Sequence, residues 1–155
     1  MQFANYFSAS IISFSGLLIG IMLARIAPEE QKPLEKYFLQ GRKALLLAIF
    51  AFLAFYYFNN YFNLLVLLAY LIFLLLIEYK LKDLFKKNIV VYALLGVLFY
   101  LSSKNTNLFA IESSLMLLYG MPTASLMYSR KEKNEYRIIF YNIGFVILAD
   151  LLYFI

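Results

Sequence analysis

The sequence predicts an all-α integral membrane protein, with six transmembrane helices in one compact bundle and both termini extracytoplasmic. Three observations predict it. Of the 155 residues, 64% are hydrophobic and only 15% are charged, where a soluble domain carries about 25% charged residues. The apolar residues gather in long runs, of the length a helix needs to cross roughly 30 Å of hydrocarbon. Thirteen of the 14 Lys and Arg residues lie in or at the edges of alternate connections between those runs, the bias that marks cytoplasmic loops.

The first run covers about residues 3–26. No basic flank precedes it and it is too long for a signal-peptide core, so it reads as a retained helix. Gly16, Gly20 and Ala24 lie four apart on it and share one face, on which another backbone can come close. That face suits a neighbouring helix of the same chain, or else a second copy or a membrane-protein partner. The polar stretch 27–42 follows. Pro28 and Pro33 each suit a first helical turn, and Glu29, Glu30 and Glu35 follow where a helix N-terminus favours negative charge. Leu34, Tyr37 and Phe38 fall on one face of a turn. A short interfacial helix over 33–40, or a loop with an apolar anchor, both fit.

From Ala44 to Ile77 no residue is charged, and as one helix this stretch would be about 51 Å long, more than a bilayer needs. Asn59 and Asn60, with Tyr56, Tyr57 and Tyr61 around them, mark a turn at an interface. The stretch therefore divides into spans at about 43–58 and 61–79. The remaining spans are predicted at about 88–103, 107–128 and 136–155. Connections 27–42, 80–87 and 129–135 carry the basic residues and are assigned to the cytoplasm. Merging 43–79 into one span would move the 80–87 connection to the other side and abolish the asymmetry, so charge and hydropathy agree on six.

The inventory excludes several chemistries. His, Cys and Trp are absent. Disulfides, thiolate catalysis and haem attachment need Cys, and zinc sites nearly always need His or Cys. A Ser-His-Asp triad is impossible. No Gly-rich phosphate loop is present, and no metal site, cofactor or catalytic constellation is expected. The basic surplus is ordinary for a membrane protein facing a lipid bilayer, and is not read as nucleic-acid binding.

The fifth span is the polar one. Glu112, Ser113 and Ser114 lie toward its outer end, and Gly120, Pro122, Thr123 and Ser125 toward its inner half. Gly120 and Ala124 weakly echo the small-residue spacing of the first span. Pro122 deprives the Leu118 carbonyl of its helical donor, which predicts a kink where hydroxyls can line a path. Glu112 lies about 9 Å, and Asp150 of the sixth span about 8 Å, in from the outer helix ends at helical rise. Carboxylates inside a membrane are costly and mark candidate function. Facing each other at similar depth they would not both ionise readily, which suits proton exchange or cation capture. Lys104 is a candidate to neutralise one of them, and Glu78 reads as an ion pair beside Lys80 and Lys82. Asn142 is placed to bond across to the fifth span near Thr123 or Ser125. The expectation is a small transporter, channel or solute-binding membrane subunit using the Glu112–Asp150 pair. The alternative is a non-catalytic accessory or scaffolding subunit of a larger membrane complex.

Overall fold

The computed structural model describes residues 2–81, 83–130 and 134–155, with backbone alone at 129 and 130. Lys82, Lys131 and Lys133, counted among the basic connections, lie outside the described residues. The described chain is helical throughout: α1 (Phe3–Ile26), α2 (Pro28–Tyr56), α3 (Tyr61–Lys80), α4 (Leu84–Ser102), α5 (Thr106–Arg130), α6 (Glu135–Asn142) and α7 (Gly144–Tyr153).

Local sequence sets the helix ends. Ala27 is the single residue between α1 and α2, with φ −125° and ψ 66°. A residue before proline is pushed out of the helical region, and Pro28 then suits the first helical position, where its missing N–H costs nothing. Glu29 and Glu30 occupy that first turn. The expected turn at Asn59-Asn60 is present, and Asn60 accepts from the Asn63 N–H at 3.3 Å to cap α3. Asp83 caps α4 through the Phe85 N–H at 3.1 Å, and Asn105 accepts from the Leu108 N–H at 3.0 Å at the start of α5. Each cap satisfies a donor that a helix start leaves open.

Two elements differ from the sequence expectation. Residues 33–40 are not a separate helix: α2 runs unbroken for 29 residues, about 43 Å at helical rise, and the polar stretch forms its first turns. The predicted sixth span is broken into α6 and α7 at Ile143. There the Ile143 N–H bonds back to the Phe140 carbonyl at 3.4 Å, a 3₁₀ step, before the Ile147 N–H resumes the α pattern on Ile143. The Asn142 side chain donates to the Ile138 carbonyl at 2.7 Å, and such back-bonding competes with the regular helix.

Helix α5 is the axis of the bundle. Helices α1 and α2 pack chiefly against it and barely touch one another, while α4 packs against α5 and α7. The α1–α5 contact is backbone to backbone. A methyl group added at Gly16 would overlap the Leu117 carbonyl, and one at Gly120 would sit 2.7 Å from the Gly16 carbonyl carbon. Gly96 lets α4 approach α7 in the same way, 2.6 Å from the Phe145 carbonyl oxygen. Helix α3 is the peripheral element and buries only Leu67 and Leu74.

Among the described residues five helical segments are long and apolar enough to cross a membrane: α1, α2, α3, α4 and the α6–α7 pair. Helix α5, the remaining predicted span, is not among them, because Glu112, Ser113, Ser114, Pro122, Thr123 and Ser125 dilute its apolar content. Its central position shields most of those groups. The outward faces of the other helices are apolar, as at Ile12, Met22, Leu65, Ile72, Phe73 and Ile147, which is compatible with a membrane location.

Candidate functional site: two polar zones along the central helix

Small residues and hydroxyls join α1 to α5. Gly16, Gly20, Ala24, Gly120 and Ala124 are all buried at this contact, so the Gly16/Gly20/Ala24 face is used within the chain. Ser13 donates to the Ser113 carbonyl at 3.0 Å and Ser125 to the Gly20 carbonyl at 3.0 Å. These bonds tie the two helices at points about two turns apart on α1 and three on α5.

The first zone surrounds Glu112. Its side chain is fully buried, and neither carboxyl oxygen has a hydrogen-bond partner among the described residues. Aromatic contacts bracket it along the α4–α5 interface. Phe109 meets Phe99 at 4.8 Å between centroids on one side, and Tyr119 meets Tyr92 at 5.8 Å on the other. Asp150 is only partly buried and accepts from Ser10 at 3.3 Å. Its helix, α7, rests on α4 and α1. The structure therefore joins the two carboxyl groups by no hydrogen bond. The close approach that the glycines permit places α1 beside α5, and α1 supplies the partner that Asp150 uses. Tyr6 of α1 links both neighbourhoods: its hydroxyl donates to the Ala149 carbonyl at 2.8 Å, and its ring lies 5.7 Å from Phe109 and 4.8 Å from Tyr153.

Other predicted residues resolve differently. Ser113 and Ser114 both donate to the Ala110 carbonyl, at 3.1 and 2.8 Å, and Ser114 is exposed. Neither hydroxyl touches Glu112, because each satisfies itself on its own helix. Lys104 is exposed and does not neutralise Glu112. Pro122 is partly buried within an unbroken helix, and Thr123 donates to the Tyr119 carbonyl at 2.8 Å. Asn142 is buried and reaches α5 at the Met127 sulfur, 3.8 Å away, instead of Thr123 or Ser125.

The second zone was not legible as a site. Arg42 of α2 is buried, with 2% of its side chain exposed. Its Nε donates to the Tyr119 hydroxyl at 3.0 Å, and one Nη donates to Glu78 at 2.8 Å. The Lys87 ammonium donates to the other Glu78 oxygen and to the Glu78 carbonyl, both at 3.2 Å. Glu78 thus pairs with Arg42 and Lys87 and not with Lys80, while Lys82, also expected beside it, lies outside the described residues. A signal existed for this. Beyond Gln31 near its start, the buried positions of α2 are Arg42, Leu46, Ile49, Phe50 and Leu53, so the apolar face extended one turn back lands on Arg42. On α3, Leu67, Leu74 and Glu78 share a face in the same way.

Glu112, Met116, Tyr119 and Thr123 form one buried stripe on α5. Glu112 and Tyr119 are two turns apart on it, about 10 Å at helical rise. One helix face therefore carries a lone carboxyl group and the anchor of a charged network. Compared with known proteins, the chain matches no family model, no curated protein and no solved structure.

Proposed function

We propose that the chain is a six-span integral membrane protein that takes up or passes a proton or small cation at Glu112. In this reading the basic connections face the cytoplasm and both termini face out. The observation that carries it is the complete burial of Glu112 with neither oxygen bonded. Such a group costs stability, and an apolar side chain would fill the same space without that cost. An ionisable side chain kept inside a membrane bundle is by default a functional candidate. Asp150 is the more accessible carboxyl group and guards the outer approach. Ser10 and Ser13 place hydroxyls on α1 between the two neighbourhoods.

The test is flux in liposomes carrying the purified protein, with a trapped pH dye and an imposed proton or sodium gradient. Glu112→Gln is expected to reduce flux to that of empty liposomes, Asp150→Asn to slow it, and the double variant to fold normally without activity. A fully active double variant overturns the reading.

A second reading, an accessory subunit of a larger membrane complex, draws on α3. That helix buries little and presents Leu65, Val66, Leu68, Ile72 and Phe73 outward. A partner helix would dock there and not on the Gly16/Gly20 face, which α5 occupies. It predicts co-purification of a partner in mild detergent that Ile72→Lys abolishes.

A further inference from the structure

The Arg42 cluster is over-supplied with donors. Arg42 and Lys87 bring two positive charges to the single negative charge of Glu78. The second Nη of Arg42 has no partner. Asn88 is fully buried, one residue beyond Lys87 on α4, and neither its amide nitrogen nor its carbonyl oxygen is bonded. Tyr92 lies one turn further along the same face of α4 and is buried, and its hydroxyl is unbonded. Its ring packs on Tyr119, whose hydroxyl accepts from Arg42.

Buried polar groups are nearly always bonded, so the unused Arg42 nitrogen and Tyr92 hydroxyl, on side chains that both meet Tyr119, with Asn88 one turn from Tyr92, call for an occupant. The unused groups are three that can donate, one guanidinium nitrogen, one amide nitrogen and one hydroxyl, and one acceptor, the Asn88 carbonyl oxygen. With one positive charge unmatched, the complementary occupant is an oxyanion carrying one negative charge. Glu78 does not repel it strongly, because both of its oxygens are engaged by cations. Basic pockets between helices at the positive end of a membrane protein are suited to lipid head groups. A cleft of about 380 Å³ lies beside this cluster, lined by Lys43, Leu46, Leu47, Leu75, Glu78 and Tyr79. It opens between α2 and α3, with Glu78 shared between the cleft and the cluster, and its apolar wall would receive an acyl chain.

We propose that Arg42, Asn88 and Tyr92 form a binding site for a phosphate oxyanion, presented by a lipid head group or free in solution. The site is independent of Glu112. The experiment is thermal unfolding of the purified protein in a neutral detergent, followed by circular dichroism. The probes are short-chain phosphatidylglycerol, short-chain phosphatidylcholine and inorganic phosphate, with chloride at matched ionic strength as the control. Phosphatidylglycerol or inorganic phosphate is expected to raise the melting temperature of the native protein. Asn88→Leu and Tyr92→Phe remove unsatisfied groups at similar volume, so both variants should fold, and both should lose the shift. A response to phosphatidylglycerol alone assigns the site to a lipid head group, and a response to inorganic phosphate assigns it to a soluble anion. No shift with either probe, or an equal shift in both variants, overturns the proposal.

Discussion

Two glutamates sit within the body of this bundle, and their surroundings are opposite. Glu78 is held by Arg42 and Lys87, and Tyr119 accepts a further bond from Arg42. Glu112 is more deeply buried and bonds to nothing. The two zones share α5, through Tyr119 on one side and Glu112 itself on the other. The difference teaches that burial alone does not define a role. A paired carboxylate ties helices together, and losing one partner leaves a buried charge exposed to an apolar interior. A carboxyl group without partners adds nothing to cohesion, so its retention points to what it does.

The contrast can be broken most forcefully at Arg42. Arg42→Leu leaves Glu78 with Lys87 alone and is expected to cost about 3–5 kcal/mol of unfolding free energy in detergent, as for other broken buried pairs. The triple replacement Arg42→Leu, Glu78→Leu, Lys87→Leu removes every charge of the cluster and should recover much of that loss. A triple variant as unstable as the sum of the single ones would show that the cluster is not a unit. A smaller effect sharpens the comparison at Tyr119. Tyr119→Phe keeps the ring contact with Tyr92 but removes the acceptor for Arg42 Nε, and should cost about 1.5–3 kcal/mol, the range for hydrogen bonds to charged groups. An unchanged midpoint in a urea or guanidinium titration would mean that the hydroxyl is not the anchor described here.

Much of the helical layout was legible because it follows from hydropathy and from local signals. Pro28 set the start of α2, and Asn59-Asn60 set the α2–α3 turn. The role of Gly16 and Gly20 in a close helix contact was also readable, although spacing could not say which helix would use it. The placement of polar groups was harder. Arg42 stands in a basic stretch, and a positive charge there reads as one more loop residue. Only the phase of α2, continued back from Leu46, puts it inside. The expected face-to-face pair of Glu112 and Asp150 rested on α5 and the last helix being consecutive in sequence. Neighbours in sequence need not pack, and here α7 turns to α4 and α1. The break at Ile143 falls between Gly144 and the Asn142 side-chain bond to the Ile138 carbonyl, and helical periodicity does not reveal that bond.

On the proposed reading, Glu112 is kept for function against the interest of the fold. The most direct measurement is the unfolding free energy of Glu112→Leu beside the native protein in one detergent, with proton flux measured on the same preparations. Replacing a partnerless buried carboxyl group by an apolar side chain should stabilise the bundle by about 1–3 kcal/mol while abolishing flux. A variant that is less stable than the native protein and still conducts would contradict the account, since Glu112 would then be a structural residue.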